Sequence, residues 1–417
     1  MHKLHATIHR LSRLLGIPGT QSSLFPHTHV DVSVEEFDCV LIKGDNLEAL
    51  SLLTQKIAQK VDFCYIDPPY NTGSKFVYDD SRYTTDSGIW GRHAAWMGFM
   101  LPRLVYMREL LQDTGIVAIS IDDYEYAQLK ILMDNIFGAD NHFGTLIVNR
   151  SKNGKGSKAH IAVSHEHVLI YGKTNNAKII GLPELDVESY NKQDAHGRYK
   201  IDGLFRKKGA ASKRIDRPNM FYPLYYDDIG NVFTEDPAGK LRKSLPLDSK
   251  GEEKRWLWGC DKAHAESWRL YASSQGVIYV KNYLTDEKRI KVRSIWDDPR
   301  YLTERATNEI TEIYGEKVFE TPKPLGLIED LIKCCAPKNA LILDFFCGTA
   351  TTAHAAYNVN KEDGGKRQVI LVEQKVKVAK EHIAASLGFQ DISAIAEFRL
   401  IKLSENDPAY RFKSLSL

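Results

Sequence analysis

The chain has 417 residues, of which 43% are hydrophobic and 26% are charged, as in ordinary globular proteins. This length is enough for two or three domains with a large buried core. The 56 Lys and Arg residues nearly balance the 54 Asp and Glu residues, so the net charge of +2 indicates no particular partner. The sequence has no signal-peptide pattern and no apolar run of about 18 residues. It therefore predicts a cytoplasmic protein that does not enter a membrane.

The six cysteines support a reducing compartment. No Cys-x-x-Cys motif occurs, and the neighbours Cys334 and Cys335 are poorly placed for a disulfide bond. The sequence therefore predicts neither a disulfide scaffold nor a zinc ribbon.

The first part of the chain divides at residue 38. Residues 1–37 contain one short helix and a loop rich in Pro, Ser, Thr and His, which we interpret as an N-terminal extension. Apolar runs and helical patterns then alternate through residues 38–174. Such alternation is typical of an α/β domain with a largely parallel sheet.

The alternation stops and later returns. Residues 175–317 are polar and aromatic, with only short strand-like runs, whereas residues 318–417 resume the α/β pattern and include a predicted helix at 377–387. The sequence therefore predicts one α/β domain, formed by 38–174 and 318–417, that is interrupted by an inserted module at 175–317.

Acidic residues follow several predicted strands. They are Asp45, Asp67, Asp122, Asp344 and Glu373. In open α/β sheets, ligands bind at the carboxyl ends of the strands. Acidic residues at these positions can also cap the following helix, and that interpretation stays open for Asp45 and Asp122.

The tetrapeptide Asp67-Pro68-Pro69-Tyr70 directly follows the strand VDFCYI. Two prolines stiffen the backbone and remove two N–H donors, which leaves bare carbonyl groups beside a carboxylate and an aromatic ring. Asp67 and the Pro68 carbonyl can accept the two hydrogens of an amine while Tyr70 stacks on its ring. This arrangement suits a planar group with an exocyclic amine, such as a nucleobase.

The segment DFFCGTATT, from Asp344, is a second candidate site. It is neither a GxGxxG motif nor a phosphate-binding loop. Gly348 allows close approach of an uncharged or zwitterionic ligand, such as the methionine part of S-adenosylmethionine (AdoMet), although a simple strand–helix turn is an alternative. Glu373 ends the next predicted strand and can accept hydrogen bonds from ribose hydroxyls.

Together, the motifs resemble the β-class amino DNA methyltransferases, most closely the adenine-specific modification subunits of type III-like systems. The order is that of this class, because DPPY precedes the variable region and the AdoMet loop follows it. The matching segments are KGDNLEAL (43–50), DPPYN (67–71), the run 96–122, HEHVLIYGK (165–173), TPKPLGLIE (321–329), DFFCGTATTAHA (344–355) and ILVE (370–373).

The resemblance implies a fold and a reaction. The fold would be a Rossmann-like AdoMet-dependent methyltransferase sheet flanked by helices, with residues 175–317 as a mixed target-recognition module that binds DNA. The reaction would be methyl transfer to the 6-amino group of a flipped adenine in duplex DNA, within a restriction-modification or related system. It would use neither a metal nor a nucleophilic side chain. A homodimer and a restriction or translocase subunit are candidate partners.

The resemblance also implies roles for individual residues. The catalytic residues would be Asp67, Pro68, Pro69 and Tyr70, with Asn71 as a further candidate. The cofactor-binding residues would be Asp45, Asp344, Phe346, Gly348, Thr349 and Glu373. Lys323 and Pro324 would lie beside the methionine part of the cofactor. His165 and Glu166 match a motif near the base pocket, and a purely structural role stays open for both.

Three alternatives remain. A cytosine-N4 methyltransferase is one, although Asp67 favours adenine, since Ser-Pro-Pro-Tyr would favour cytosine. A methyltransferase acting on RNA or protein glutamine usually carries Asn-Pro-Pro-Tyr after the AdoMet loop, which does not match. The third is a catalytically impaired DNA-binding member, because Ala350 stands where a second glycine is common. An alanine at positive φ costs about 1 kcal/mol, but we expect Ala350 at a harmless position in the first helical turn.

A basic segment extends from the α/β domain into the inserted module. Residues 150–217 contain 15 Lys and Arg against 7 Asp and Glu. The densest run contains Lys207, Lys208, Lys213, Arg214 and Arg217. We predict that these five side chains contact phosphates of double-stranded DNA, although a solvated charged face is the alternative.

Overall fold

A computed structural model describes residues 2–17, 36–71, 90–152, 155–156, 160–184, 186–285 and 288–417. The chain forms two compact units, one of Met1–Leu182 with Lys291–Leu417 and one of Pro183–Ile290. The second unit is shorter than the predicted module 175–317, because Ile295–Trp296 pairs with a strand of the first unit. Residues 18–35 of the predicted N-terminal extension lie outside the described residues.

The described helices are as follows: α1 His2–Leu15, α2 Asn46–Ile57, α3 Ala94–Leu110, α4 Tyr126–Phe137, α5 Cys260–Ala265, α6 Thr303–Tyr314, α7 Leu325–Cys335, α8 Thr351–Asp363, α9 Ile383–Ser386 and α10 Ile392–Asn406. None of these helices is long and apolar enough to cross a membrane.

The described strands are as follows: β1 Cys39–Lys43, β2 Val61–Ile66, β3 Leu111–Ile121, β4 His142–Asn149, β5 Lys155–Gly156, β6 Ala162–Val163, β7 His165–Gly172, β8 Leu182–Pro183, β9 Lys192–Asp194, β10 Gly197–Leu204, β11 Leu224–Tyr226, β12 Val232–Phe233, β13 Arg242–Ser244, β14 Leu270–Ala272, β15 Ile278–Tyr283, β16 Arg289–Ile290, β17 Ile295–Trp296, β18 Leu341–Asp344, β19 Gln368–Glu373 and β20 Phe412–Ser416.

The first unit contains a nine-stranded sheet in the order β17-β4-β7-β3-β2-β18-β19-β1-β20. β7 pairs antiparallel with both of its neighbours, and the other pairs in the sheet are parallel. The central strands are almost completely buried, as parallel strands covered by helices on both faces must be. The predicted Rossmann-like α/β fold with a largely parallel sheet is confirmed.

Helices cover both faces of this sheet. Residues of α1, α2, α3 and α4 form one apolar core with one face, and residues of α7, α8 and α10 form a second core with the other face. Leu4, Ile8 and Leu11 of α1 belong to the first core, and Leu15 O accepts a hydrogen bond of 2.6 Å from Trp90 Nε1. The described helix of the predicted extension therefore packs as part of the α/β unit.

The predicted helix at 377–387 is wrong over most of its length. Only Ile383–Ser386 is helical, because the ring of His382 accepts a hydrogen bond from Ala384 N and so caps the helix there. Gly388 then takes a φ of 91°, which ends the turn. The long helix in this region is α10, which begins after Asp391, whose carboxylate accepts from Ala394 N. Neither α10 nor β20 was predicted from the sequence.

The second unit has its own core. A four-stranded antiparallel sheet has the order β14-β15-β10-β9, and a three-stranded sheet has the order β12-β11-β13. Phe205 and Trp256 stack with ring centroids 5.3 Å apart inside this core, and Trp258 packs against it. The aromatic residues of the inserted sequence thus serve at least partly to fill this core.

Candidate functional site

The DPPY segment begins where β2 ends, and its conformation is fixed by its neighbours. Pro68 and Pro69 are buried, and Pro69 O accepts a hydrogen bond of 2.6 Å from Trp96 Nε1. The Tyr70 hydroxyl donates to Asp67 Oδ1 at 2.6 Å. Asn71 follows with φ of 60°, and its Nδ2 donates to the buried Glu125 at 2.6 Å. Asn71 therefore anchors the end of the segment.

The DPPY segment contacts Lys323 and Glu166, which the sequence marks only as weaker candidates. Lys323 Nζ lies 3.1 Å from Asp67 Oδ1, 2.7 Å from the Tyr70 oxygen and 2.9 Å from Glu166 Oε2. Burial raises the pKa of Asp67, and the ammonium of Lys323 opposes that rise. Burial alone would lower the pKa of Lys323, but Asp67 and Glu166 raise it above its ordinary value. Lys323 is therefore held in its charged form.

The predicted AdoMet loop starts from the neighbouring strand β18. Asp344 Oδ1 accepts from Phe346 N at 3.0 Å, and Oδ2 accepts from the Thr352 hydroxyl at 2.6 Å. The carboxylate thus ties the start of the loop to the first turn of α8. Burial raises the pKa of Asp344 to about 7. Gly348 has φ of 52°, a backbone conformation that favours glycine.

The backbone conformation of Ala350 contradicts the expectation that this residue lies in the first helical turn. Ala350 has φ of 59° and ψ of 31° and precedes the first residue of α8, so it is in the left-handed region and not in the first helical turn. The loop keeps this conformation although alanine costs about 1–2 kcal/mol there. The side chain of Ala350 is fully buried in the apolar core, and burial of a methyl group offsets part of that cost.

Glu373 ends β19 and closes the loop from the other side. Its Oε2 accepts from Gly348 N at 2.6 Å, and its Oε1 accepts from Gln374 N at 3.0 Å. Burial raises the pKa of Glu373 to about 8. The ends of β2, β18 and β19 therefore carry three carboxyl groups on adjacent strands, of which Asp344 is buried and Asp67 and Glu373 are partly buried.

One cavity of about 270 Å³ connects the two motifs. Of the predicted catalytic and cofactor-binding residues, its walls include Asp67, Pro69, Asp344, Phe346, Gly348, Thr349 and Glu373 but not Pro68, Tyr70 or Asp45. Further wall residues are Asn46, Phe99, Phe319 and Lys323. A ligand at the Gly348 loop and a group at Asp67 would therefore share a continuous space. This arrangement is what direct transfer between two bound molecules requires.

Asp45, a predicted cofactor-binding residue, lies at the start of α2. Its Oδ1 accepts from the backbone N of Leu47 and of Glu48 at 2.9 and 3.1 Å, so it is the N-cap of α2. The adjacent Asn46 lies on the cavity wall, and its Nδ2 donates to Phe345 O at 2.9 Å. The structure thus gives Asp45 the capping role that the sequence left open.

The sequence does not predict Asn46 or the buried Arg103 as site residues. Arg103 Nε donates a hydrogen bond of 2.6 Å to Asn46 Oδ1. Arg103 also lies over the ring of Phe99, 3.7 Å from its centroid. The signal available in the sequence was the position of Asn46 directly after the strand end at Asp45.

His165 and Glu166 point to opposite sides, since successive residues of a strand alternate. Glu166 is buried and contacts Lys323, whereas His165 and His167 lie near the exposed Asp123. The His167 ring is 2.7 Å from Asp123 Oδ1. Of the two predicted residues, the structure brings only Glu166 into contact with the DPPY segment.

The five basic residues of the second unit do not share one environment. Lys208, Lys213, Arg214 and Arg217 are exposed, whereas Lys207 is half-buried. Lys213 pairs with Glu252 at 2.9 Å, and Arg214 pairs with Glu253 at 3.0 Å. Within residues 186–285, no ion pair is found for Lys207, Lys208 or Arg217. Part of the positive charge predicted from the sequence is therefore neutralised locally.

A family profile described as DNA methylase matches residues 61–383, which include both motifs and the inserted unit. The chain belongs to this DNA methylase family. It is a DNA methyltransferase, and its methyl donor is S-adenosylmethionine.

Two similar proteins are themselves described as a methyltransferase and a Mod subunit. The chain is 50% identical over 410 residues to the Type II methyltransferase M.KpnI of Klebsiella pneumoniae, with 98% of each chain covered. It is 34% identical over 397 residues to the EcoPI Mod subunit, a Type III restriction-modification enzyme of Escherichia phage P1, covering 87% of this chain but 61% of that protein. The solved PvuII DNA methyltransferase, described as cytosine-N4-specific, has a TM-score of 0.43 at 12% identity, covering 91% of this chain and 95% of that one. A structural likeness this low carries no argument about the target base.

The cavity fits the donor. Gly348 has no side chain, so a ligand can approach its backbone closely. A Cβ at this position would contact Phe319 at 3.5 Å and would require a strained backbone conformation. Glu373 and Asp344 supply acceptor oxygens for hydroxyl and amino groups, and Phe346 supplies an aromatic face. These residue types match a ligand with a ribose, an amino-acid part and a purine.

The strain at Ala350 predicts an unusual response to glycine. In Ala350→Gly, relief of the left-handed strain offsets the loss of a buried methyl group, so the free energy of unfolding should change by less than about 0.5 kcal/mol. Ala353→Gly, a buried position inside α8, loses the methyl group and helix propensity together and should cost about 2 kcal/mol. Urea unfolding measures both. Equal costs at the two positions would show that Ala350 is not strained.

The raised pKa of Glu373 predicts pH-dependent binding of AdoMet. We predict that ribose hydroxyls donate to the ionised carboxylate, so affinity should rise as the pH increases from about 6 through about 8, by up to tenfold per pH unit. Isothermal titration calorimetry in several buffers should detect release of a proton on binding below pH 8. In Glu373→Gln this contribution should disappear, and the difference between the two profiles excludes titration of the ligand itself. The exposed Glu405→Gln is the control, and a profile that Glu373→Gln leaves unchanged would contradict the assignment.

Proposed function

We propose that this DNA methyltransferase transfers the methyl group of AdoMet to the 6-amino group of a flipped adenine in duplex DNA. The observation that carries the proposal is the cavity that joins the Gly348 loop to the DPPY segment, with an aspartate at the accepting end. Membership of the DNA methylase family and the similarity to M.KpnI and to the Mod subunit support it.

The residues around the acceptor suit an amine that is a poor nucleophile. Its lone pair is delocalised into the base, and acceptors that take both amine hydrogens shift electron density back to nitrogen. We assign the acceptor roles to Asp67, which lines the cavity, and to the Pro68 carbonyl, and we assign the aromatic face to Tyr70. The buried prolines and the Trp96 hydrogen bond fix their positions, so little reorganisation is needed.

AdoMet, when bound, supplies an electrophilic methyl group. Glu373 and Asp344, which line the same cavity as Asp67, would orient it. After transfer the amine nitrogen carries an extra proton and a positive charge. The ionised carboxylate of Asp67 stabilises that charge and can accept the proton.

Replacement of Asp67 tests the reaction and the base together. In Asp67→Ala the rate of methyl transfer should fall at least about 100-fold, whereas AdoMet affinity should stay within about tenfold, because Asp67 acts on the acceptor. Transfer of tritiated methyl groups to duplex DNA, followed by nucleoside analysis, should show 6-methyladenine for the wild-type chain. Asp123→Asn, which changes an exposed carboxylate, is the control. Label found in 4-methylcytosine instead would assign the chain to the alternative class.

We also propose that residues 183–290, the compact unit within the predicted module 175–317, contact the target DNA, and that the chain acts in a restriction-modification system. The exposed basic run supports the first point, and the similarity to the EcoPI Mod subunit supports the second. A restriction or translocase subunit and a second copy of the chain are candidate partners on the same grounds.

The unequal environments of the basic residues predict unequal effects on DNA affinity. Removal of one phosphate contact should flatten the slope of log affinity against log salt by about 0.9. The triple replacement of Lys207, Lys208 and Arg217 by alanine should therefore flatten the slope by up to about 2.7, for specific and random duplexes alike. The pair Lys213→Ala and Arg214→Ala should do less per residue, because Glu252 and Glu253 already neutralise these charges. Fluorescence anisotropy from 50 to 300 mM salt, roughly the range over which such contacts weaken, measures the slopes. An unchanged slope in the triple variant would mean that Lys207, Lys208 and Arg217 form a solvated charged surface and do not contact phosphates.

A further inference from the structure

Lys323 contributes one ammonium group to two acids, the partly buried Asp67 and the buried Glu166. Its Nζ is 3.1 Å from Asp67 Oδ1 and 2.9 Å from Glu166 Oε2, and the Tyr70 hydroxyl completes the cluster. Side-chain exposure is 12% for Lys323, 4% for Glu166 and 24% for Asp67, so water solvates the lysine and the glutamate little and Asp67 only in part. Lys323 comes from the segment before α7, whereas Asp67 follows β2 and Glu166 lies in β7. The contact therefore joins three separate parts of the α/β unit.

We propose that Lys323 is a positioning residue for the methyl acceptor site: its ammonium orients the Asp67 carboxylate and keeps it ionised, and Glu166 holds the ammonium in place. This role rests on the proposed function, because it matters only if Asp67 receives the hydrogens of a target amine. Lys323 acts through Asp67 and is not itself assigned a contact with the base.

Geometry supports the orienting part of the role. Tyr70 and Lys323 both approach Oδ1 of Asp67, at 2.6 and 3.1 Å. Two donors on one oxygen fix the rotation of the carboxylate and direct the other oxygen elsewhere. Among the described residues, no hydrogen bond to Oδ2 of Asp67 is found. That oxygen is therefore available to accept from an amine.

The charges around Asp67 support the second part of the role, in which Lys323 keeps Asp67 ionised. Partial removal of a carboxylate from water favours its protonated form unless a cation compensates the charge. A protonated Asp67 would be a weak acceptor and could not stabilise a cationic amine. Among the described residues, Lys323 is the cation that contacts Asp67. The neighbouring groups that also act on this charge, directly or through Glu166, are Tyr65, Tyr70, Arg150, Glu166 and Asp344.

Glu166 has two opposing effects. Its negative charge lies near Asp67 and raises the pKa of that carboxyl, but it also anchors the ammonium that lowers it. Lys323 also contacts Asp67 and Tyr70, so it can stay in place without Glu166, and the direct charge effect of Glu166 then decides the direction. Removing Lys323 and removing Glu166 should therefore move the titration of Asp67 in opposite directions. A general loss of packing would not separate the two variants in this way.

The test is the pH profile of the single-turnover methylation rate, with saturating AdoMet and duplex DNA. These conditions isolate the transfer step from product release and from the titrations that control cofactor binding. In Lys323→Met the acidic limb should move upward by about 1–3 pH units, because an opposite charge within contact distance has been removed. In Glu166→Gln the acidic limb should move downward, because Lys323 then pairs with Asp67 alone. Lys323→Arg retains the charge and should keep the limb near its wild-type position.

Lys333 provides a matched control. Its side chain is 13% exposed and pairs with Glu362 at 2.6 Å, so Lys333→Met breaks a comparable ion pair that does not contact Asp67. Its profile should not move. AdoMet affinity and thermal unfolding are measured for every variant, and Glu166→Gln carries the same test if Lys323→Met does not fold.

The outcomes are distinct. Opposite shifts in Lys323→Met and Glu166→Gln support the positioning role. A folded Lys323→Met variant with an unmoved limb, or two variants that shift in the same direction, overturns it while the wild-type reaction stands. A wild-type chain that transfers no methyl group to DNA overturns the proposed function, and this role with it. A product of 4-methylcytosine with opposite shifts overturns only the choice of base, since Asp67 accepts from an amine in either case.

Discussion

Three carboxyl groups lie at the ends of adjacent strands, Asp344 buried and Asp67 and Glu373 partly buried, and the cost of removing them from water constrains the surrounding site. Asp67, Asp344 and Glu373 each have a pKa raised by burial. Each is stabilised by two donors close by: Tyr70 and Lys323 for Asp67, Phe346 N and the Thr352 hydroxyl for Asp344, and Gly348 N and Gln374 N for Glu373. Four of the donors belong to the loops that follow the strands, so the loop conformations and the carboxyl positions determine one another.

The strand order explains how residues from distant parts of the chain form one cavity. β18 lies between β2 and β19, so the DPPY segment and the AdoMet loop are neighbours although the inserted unit separates them in sequence. The chain leaves the sheet after β7 and rejoins it at β17, which pairs with β4 at the edge. An insertion between an inner and an edge strand on one side leaves the order β3-β2-β18-β19 unchanged. The motif order read from the sequence is thus compatible with the site geometry.

Local patterns predicted the features that depend on local chemistry. The buried strands and the DPPY and Gly348 motifs follow from residue types within a few positions of each other. Features decided by distant partners were not predictable in this way. Ala350 takes a positive φ because Asp344 and Glu373 fix the loop on both sides of it, and Lys213 is neutralised by Glu252 from another segment. The helix predicted at 377–387 has a suitable pattern, but His382 caps it late and only one short turn forms.

Charge balance connects the two ends of the cavity. In the proposed reaction, methyl transfer from a sulfonium to an amine would move a positive charge from the Gly348 loop towards the DPPY segment. At the receiving end, Asp67 and Glu166 against Lys323 leave one negative charge in a cluster whose most exposed member, Asp67, is 24% exposed. Arg150 lies farther away, 3.7 Å from Glu166, and is more exposed, so solvent screens more of its charge. Without Glu166, Lys323 would cancel Asp67 and the arriving charge would meet no net attraction. The pair therefore allows Asp67 to be oriented by a cation while the site still favours the cationic product of transfer.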